Sequence, residues 1–115
     1  MKTILLVDDN AEFRGLIKEM FRGEKIKFNF IESNDPILAL EAFYKNDKNI
    51  DIVVCDFFMP VQNGNDFLEI IKQNKPNITC LLVSGDIQIK DRKYPYVDSA
   101  FSKLDLGELY TYLTK

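Results

Sequence analysis

The chain has 115 residues, of which 46% are hydrophobic and 29% charged, and it carries a formal net charge of −3. This size and composition are typical of one soluble globular domain that buries about two-thirds of its unfolded surface, so we expect residues 1–115 to form a single domain. The acidic balance argues against a direct nucleic-acid partner. No apolar run approaches the roughly 20 residues of a membrane span, so we expect a cytoplasmic location without membrane contact.

Strand and helix patterns alternate along the chain. Short β-branched apolar runs predict strands at 3–7, 27–32, 52–55, 78–83 and 97–102. Amphipathic periodicity and capping residues predict helices at 12–21, from Pro36 onward, at 65–74 and at 105–114. Strands that alternate with helices imply right-handed βαβ units, so we expect an α/β fold of the flavodoxin-like (βα)5 type. This three-layer sandwich has a five-stranded parallel sheet in the order 2-1-3-4-5.

The spacing of apolar residues predicts which helix faces are buried. The first helix would start after the cap Asn10, and its buried face would comprise Phe13, Leu16, Ile17, Met20 and Phe21. The second helix would bury a face made of Ile37, Leu38, Leu40, Ala42 and Phe43. We expect both faces to pack on the sheet.

The stretch 85–96 does not fit the pattern at the place where a fourth helix is expected. Ile87 and Ile89 alternate with polar residues, the residues 90–93 are all charged, and Pro95 blocks helical continuation. We therefore expect a degenerate fourth helix of one or two turns.

The two cysteines, Cys55 and Cys80, each lie inside an apolar run, where cysteine behaves as a small hydrophobe. If Asp56 and Ser84 line one pocket, strand alternation would place the two thiols on opposite faces of the sheet. We expect buried, reduced cysteines and no disulfide.

Carboxylates directly follow two of the predicted strands: Asp8 and Asp9 after the first, and Asp56 after the third. Because parallel strands bring their carboxyl ends to one edge of the sheet, these acids would converge there. Converging carboxylates repel one another unless a divalent cation or protons relieve them, and their hard oxygens suit Mg²⁺. Ser84 and Lys103 end the fourth and fifth strands at the same edge. A carboxylate held ionised by a cation could attack phosphorus, while the hydroxyl and the ammonium contact the phosphoryl oxygens.

Simpler interpretations of the single residues stay open. Asp8 and Asp9 could cap the first helix, and Asp56 alone is an ordinary residue for a strand end. Ser84 could be a turn residue, and Lys103 could be a solvated lysine. The combination of all five at neighbouring strand ends favours the pocket.

Four sequence blocks occur in order at these strand ends: Leu-Val-Asp-Asp-Asn at 6–10, Asp-Phe-Phe-Met-Pro-Val-Gln-Asn-Gly at 56–64, Leu-Val-Ser-Gly at 82–85 and Ser-Lys at 102–103. With them the chain resembles a response-regulator receiver domain of two-component signalling over essentially its whole length. The second block matches that family's Asp-x-x-Met-Pro-x-x-x-Gly pattern. The resemblance implies a phosphoacceptor that switches partner binding and takes part in its own phosphorylation and dephosphorylation, and not a turnover enzyme.

The resemblance also implies a role for each pocket residue. Asp56 would accept the phosphoryl group, Ser84 would contact it, and Lys103 would pair with it. The cofactor would be Mg²⁺, and its ligands would be Asp9 directly, Asp8 through water, Asp56 itself and the backbone carbonyl of Phe58.

Two kinds of protein partner follow from the resemblance. The phosphoryl donor would be a phosphohistidine on a sensor histidine kinase or on a histidine phosphotransfer protein. A downstream protein target would bind the region 94–115, where Tyr94, Tyr96, Tyr110 and Tyr112 offer a surface. Plain packing explains these tyrosines almost as well.

Three departures from the family pattern concern how a signal would leave the pocket. Ala100 stands three residues before Lys103, where the family usually has an aromatic residue that turns inward on activation. Leu104 replaces the proline that usually follows the lysine, and Phe58 replaces a polar residue that often positions the attacking water. These departures keep an alternative open, namely a receiver-like interaction module whose output is independent of phosphorylation.

Enzymes of the same fold class fit the sequence less well. A flavin or nucleotide carrier would need a loop rich in serine, threonine and glycine after the first strand, where Asp8 and Asp9 would repel phosphates. A phosphatase of the haloacid dehalogenase type would usually have a second acid two residues after its nucleophile, and this chain has Phe58 there.

Overall fold

Strands and helices alternate along the backbone in a computed structural model, which describes residues 1–115 apart from the side chains of Ile87 and Lys90. The strands are β1 (Lys2–Val7), β2 (Phe28–Ser33), β3 (Ile50–Asp56), β4 (Thr79–Ser84) and β5 (Ser99–Ser102). The helices are α1 (Ala11–Met20), α2 (Pro36–Asn46), α3 (Gly64–Asn74) and α4 (Leu106–Leu113). The predicted elements are present, with bounds that differ by one or two residues. Within the described residues, no helix has the length and apolar character that crossing a membrane requires.

The five strands form one parallel sheet in the order β2-β1-β3-β4-β5. This order confirms the predicted flavodoxin-like α/β fold. Val7, the last residue of β1, lies opposite Ser33 of β2 and Cys55 of β3. Asp8 and Asp56 therefore leave neighbouring strands at the same level of the carboxyl edge.

Alternating residues of the central strands fill two separate cores, one on each face of the sheet. The core on the side of α1 and α4 includes Ile4, Leu6, Phe13, Val54 and Leu109. The core on the side of α2 and α3 includes Leu5, Phe43, Val53, Phe67 and Leu82. Each fully buried Leu, Ile or Phe contributes about 1.5–3 kcal/mol relative to its exposed state, so the two cores hold the strand ends in a fixed arrangement.

Two helix starts fix how the chain leaves the carboxyl edge. The side chain of Asn10 accepts hydrogen bonds from the N–H groups of Glu12 at 3.0 Å and Phe13 at 3.2 Å, which confirms the predicted cap of α1. Pro36 occupies the first turn of α2 after the cap Asp35, also as predicted. A side-chain cap of this kind is worth about 1 kcal/mol.

A single 3₁₀ segment, Ile87–Asp91, takes the place of a full fourth α-helix between β4 and β5. The side chain of Asp86 accepts a hydrogen bond from the N–H of Gln88 at 2.9 Å and starts this segment. The prediction of a degenerate fourth helix is confirmed. Residues 92–98, which include Tyr94 and Pro95, connect this segment to β5.

The predicted buried face of α2 was partly wrong: Phe43 is buried and Leu40 and Ala42 pack against the core, as predicted, but the two residues before them do not. Ile37 and Leu38 are 58% and 49% exposed, and the buried residues of the helix are Pro36, Ala39 and Phe43. The segment is apolar around most of its circumference, so residue spacing could not select the side that meets the sheet.

One residue of the predicted face of α1 was also misplaced. Leu16 is 55% exposed, whereas Phe13, Ile17 and Phe21 are buried. These three residues are spaced four apart and form one narrow stripe, which leaves Leu16 beside the contact with the sheet.

Cys55 and Cys80 are free and fully buried, as predicted, but the expectation that they face opposite sides of the sheet was wrong. Both belong to the core on the side of α2 and α3. The reason lies in the register, because Asp56 pairs with Val83, so that Ser84 lies one residue beyond it. Burial raises the pKa of the Cys80 thiol to about 12, which keeps it protonated.

Candidate functional site

Three carboxylates meet at the carboxyl edge of the sheet. Asp8 and Asp9 follow β1, Asp56 ends β3, and each offers a carboxylate oxygen within 4.8 Å of the other two. Asp8 is fully buried, Asp56 is buried and Asp9 is exposed. Two buried acids and one exposed acid thus form a cluster that reaches solvent at Asp9.

Lys103 is the positive charge of this cluster. Its Nζ lies 2.7 Å from Asp8 Oδ2 and 3.3 Å from Asp56 Oδ2. The backbone N–H of Lys103 donates to the carbonyl of Ser84 at 2.8 Å, which ties the residue after β5 to the end of β4. The sequence placed Lys103 at this edge, and the structure brings it into contact with two of the three acids.

Asp8 presents its two carboxylate oxygens differently. Oδ1 accepts a hydrogen bond from the backbone N–H of Asn10 at 2.9 Å. Oδ2 is buried and has no hydrogen-bond partner among the described residues, although the Lys103 ammonium lies beside it. Buried oxygens of this kind cost free energy unless a cation or water reaches them. The arrangement fits an oxygen-liganded divalent cation such as Mg²⁺.

The charge balance at Asp56 also favours a divalent cation at this cluster. Burial raises the pKa of the Asp56 carboxyl, and the negative charge of Asp8 raises it further. The Lys103 ammonium and the backbone N–H of Phe58 lower it, but the net shift is upward. One lysine therefore does not compensate the acids fully, and a divalent cation would supply the missing positive charge.

The loop from β3 to α3 is held against Asp56 by a glycine. The N–H of Gly64 donates to the carbonyl of Phe57 at 2.8 Å. A Cβ on Gly64 would collide with the backbone carbonyl of Asp56 and press on the side chain of Leu82. The close approach to Asp56 explains why a glycine stands at this position.

The tip of the same loop is a γ-turn centred on Val61. Val61 has a φ of 75°, and the N–H of Gln62 donates to the carbonyl of Pro60 at 2.8 Å. A β-branched residue at positive φ is strained. Val61 is 85% exposed, so the strain is not offset by burial of its side chain.

Phe58 projects out of the pocket. Its side chain is 62% exposed and makes an edge contact with the ring of Phe57, with centroids 4.8 Å apart. An exposed apolar ring thus stands two residues after Asp56. The role of its backbone carbonyl as a metal ligand stays a prediction.

Ser84 is fully buried at the end of β4. Its hydroxyl oxygen accepts a hydrogen bond from the N–H of Asp86 at 3.1 Å. Because Asp56 pairs with Val83, Ser84 extends one residue farther toward the carboxyl edge. Within the described part of the chain, no hydrogen bond joins Ser84 to the three acids.

Three charged residues that sequence reasoning missed form a network that reaches the backbone of Asp8. The Arg14 guanidinium donates to the backbone carbonyl of Asp8, and its Nε donates to Glu32 at 3.1 Å. Lys18 donates to the other oxygen of Glu32 at 2.8 Å. The hydrogen bond from Lys18, together with Arg14, lowers the pKa of Glu32. The position of Glu32 at the end of the strand beside β1 was the signal that could have indicated this contact.

The region of the predicted partner surface is largely packed. Ala100 is half-buried, and the ring of Tyr94 lies against Phe57 with centroids 5.7 Å apart. Tyr110 stacks on Phe21 at 5.5 Å, and Tyr112 makes an edge contact with a phenylalanine of β5. Packing within the domain therefore accounts for three of the four tyrosines.

Comparisons with known proteins agree with this geometry. Residues 4–103 match the family model of the response regulator receiver domain. The chain is 36% identical over 84 residues to the transcriptional regulatory protein CpxR of Escherichia coli strain K12, an alignment that covers 73% of this chain and 34% of CpxR. The chain thus spans about a third of the length of this relative.

Solved structures match over nearly the whole chain. The response regulator protein TrrA of Thermotoga maritima, in complex with Mg²⁺–BeF, superimposes with a TM-score of 0.85 and 25% identity, covering 99% of this chain and 97% of TrrA. A chain in the crystal structure of the histidine kinase ThkA in complex with TrrA matches with a TM-score of 0.82 and 24% identity. The match covers 99% of this chain and 97% of the matched chain. The chain therefore belongs to the family of response regulator receiver domains, the signal-receiving modules of two-component systems.

Proposed function

We propose that this chain is a phosphorylatable switch in which Asp56 accepts a phosphoryl group with the help of Mg²⁺. The observation that carries the proposal is the meeting of Asp8, Asp9 and Asp56 with the Lys103 ammonium at one edge of the sheet. An acid cluster that is short of positive charge and reaches solvent at Asp9 suits a cation together with a phosphoryl group.

The metal site would use oxygens from two loops. Asp9 would bind Mg²⁺ directly, Asp8 would bind it through water, and Asp56 and the backbone carbonyl of Phe58 would complete the set. When bound, the ion neutralises charge on the carboxylates and on the transferring phosphoryl group. The meeting of one exposed and two buried carboxylates, with oxygens within 4.8 Å of one another, supports this assignment.

The chain's own residues would perform the transfer. A carboxylate oxygen of Asp56 forms a bond to phosphorus while the bond from phosphorus to the donor nitrogen breaks, and the product is an aspartyl phosphate. Lys103 would move from its two carboxylates to pair with a phosphoryl oxygen. The Ser84 hydroxyl would donate a hydrogen bond to another one.

The proposed donor is a phosphohistidine on a sensor histidine kinase or on a histidine phosphotransfer protein, and the proposed location of the chain is the cytoplasm. TrrA, which has the same fold, occurs in complex with the histidine kinase ThkA. We also propose that residues 1–115 form one receiver domain, and that phosphorylation changes the binding of a downstream protein to the region 94–115.

Intact-mass measurement after incubation with acetyl phosphate and Mg²⁺ tests the acceptor. The expected result is one phosphoryl increment on the wild type and on Asp47→Asn, a matched control at an exposed acid at the end of α2. Asp56→Asn and chelation of the metal should each abolish the increment. Labelling of Asp56→Asn at the wild-type level would contradict the proposal.

A second candidate is an interaction module whose output does not depend on phosphorylation. The half-buried Ala100 favours it, because no aromatic ring stands at that position to turn inward on activation. Partner affinity measured with and without beryllofluoride separates the two functions. Equal affinities would support the module, and a difference of tenfold or more (about 1.4 kcal/mol) would support the switch.

A further inference from the structure

The Lys103 side chain has a third neighbour besides the two carboxylates. Its ammonium nitrogen lies over the ring of Phe13, 4.5 Å from the ring centroid. Phe13 is on α1, which packs on the opposite face of the sheet from α3, and it is 6% exposed. An ammonium at this distance from an aromatic face is attracted by the negative charge density of the ring.

We propose that Phe13 is a positioning residue that holds the Lys103 ammonium beside Asp56 for phosphoryl transfer. This inference rests on the proposed function, because the reaction it supports is phosphorylation of Asp56. The aromatic ring, and not only its bulk, is the feature that matters.

The two carboxylates can hold the Lys103 ammonium by themselves only in the absence of a metal ion. A divalent cation at the acid cluster would repel the ammonium and would compete with it for the carboxylates of Asp8 and Asp56. The face of Phe13 attracts a cation without offering an oxygen ligand to the metal. The ring therefore keeps Lys103 at the pocket in the state where the carboxylates turn to the metal.

Phe13 is itself held firmly. Its backbone N–H donates to the side chain of Asn10 at 3.2 Å, and its ring belongs to the core that contains Leu6 and Ile17. Lys103, in contrast, has a long side chain with four rotatable bonds that is 20% exposed. A rigid ring beside a flexible ammonium is the arrangement expected of a positioning contact.

Fluorinated phenylalanines at position 13 test the electronic role of the ring directly. Each added fluorine withdraws density from the ring face at almost constant shape, and site-specific incorporation leaves the other phenylalanines unchanged. We expect the phosphorylation rate constant at saturating Mg²⁺ to fall with each fluorine, to about threefold to tenfold below wild type for the trifluorinated ring, and Phe13→Leu to show a similar loss. The same fluorinated series at Phe43, which is also buried and lies on α2, should leave the phosphorylation rate constant unchanged.

A second measurement is independent of phosphorylation. The Cε protons of Lys103, identified by their loss in Lys103→Arg, should be shifted upfield by the ring current of Phe13. They should return to the position of ordinary lysines in Phe13→Leu. With Mg²⁺ added, the upfield shift should persist.

The outcomes separate the two proposals. An unlabelled wild type with an upfield Lys103 signal would sink the proposed function and leave the contact between ring and ammonium in place. A labelled wild type with a flat fluorine series, or equal slopes at positions 13 and 43, would overturn the inference even if Phe13→Leu slowed the reaction. An ordinary Lys103 chemical shift in the presence of Mg²⁺ would overturn it as well.

Discussion

The backbone of Gly64 packs directly on the carbonyl of Asp56, so that a side chain on this glycine would collide with the strand that carries the proposed acceptor. The contact couples the start of α3 to the end of β3. It makes the position of the acid dependent on a residue eight positions later.

Gly64→Ala should therefore destabilise the fold, because either α3 or the end of β3 has to move. Overpacking of this kind costs about 1–3 kcal/mol in the free energy of unfolding, measurable by urea denaturation. The matched control is Gly15→Ala on α1, where an added Cβ meets no atom within 4 Å. That change should stabilise the protein by about 0.5–1 kcal/mol, since alanine is the better helix former. Equal effects of the two substitutions would contradict the packing argument.

Asp56→Asn should raise stability at neutral pH in the absence of metal. Folding raises the pKa of Asp56 above its ordinary value of 3.8, mainly through burial, so the folded state favours the protonated form. The stabilisation due to this proton is complete below the unfolded pKa and is lost as the pH rises through the folded one. The advantage of Asp56→Asn over wild type should thus be small near pH 3 and larger near pH 7. Urea denaturation at both pH values with a chelator measures it, and an advantage confined to acid pH would refute the assignment.

Mg²⁺ should stabilise the wild-type protein against unfolding. A ligand at 100 times its dissociation constant stabilises the folded state by about 2.7 kcal/mol. Wild type should gain stability with Mg²⁺ concentration, and Asp9→Asn should gain much less, because Asp9 is the proposed direct ligand. Asp47→Asn again serves as the control. Thermal unfolding across a Mg²⁺ titration is the measurement, and a wild type that does not respond would remove the metal from the proposal.

The sequence predicted the fold and the location of the site for a clear physical reason. Buried parallel strands have continuous apolar sequences, and the polar residues that end them must lie at the edge of the sheet. Asp8, Asp56 and Lys103 could be placed in this way without any knowledge of side-chain contacts.

The features that sequence reasoning missed depend on register and on contacts between elements. The pairing of Asp56 with Val83, which put both thiols in one core, is set by the whole connection between β3 and β4. The contacts of Phe13 and Arg14 with the site depend on how α1 rotates against the sheet. Neither the register nor the rotation leaves a local pattern in the chain.

Arg14→Ala should weaken Mg²⁺ binding. The guanidinium donates to the carbonyl of Asp8 and is anchored by Glu32, so its removal frees the loop that carries two of the acids. A loss of about tenfold in affinity is expected, at the low end for residues that orient metal ligands. Arg22→Ala is the matched control, because Arg22 lies just after the end of α1 and forms an exposed ion pair with Glu19. Calorimetric titration measures both variants, and equal affinities for Arg14→Ala and Arg22→Ala would show that Arg14 has no positioning role.

Val61→Asn should stabilise the protein. Val61 has a φ of 75°, and at positive φ a β-branched residue is strained, whereas asparagine is found there several times more often than most residues. A gain of about 1 kcal/mol in the free energy of unfolding is expected. Leu104→Asn, at another exposed apolar residue, should change stability by less than about 0.5 kcal/mol. If the two substitutions had the same effect, backbone strain at Val61 would not be the cause.

Phe58→Asn should shorten the lifetime of the aspartyl phosphate. Phe58 lies two residues after Asp56 and has an exposed apolar ring, which cannot hold a water molecule by hydrogen bonds for attack on phosphorus. An asparagine there can accept and donate hydrogen bonds to such a water, and better positioning should speed hydrolysis by about threefold to tenfold. The decay of the phosphorylated mass after removal of the donor measures this rate. Val61→Asn adds the same side chain to the same loop farther from the acid, and it should leave the decay unchanged. A decay that is equally fast in both variants would mean that loop polarity in general, and not the position of Phe58, controls the lifetime.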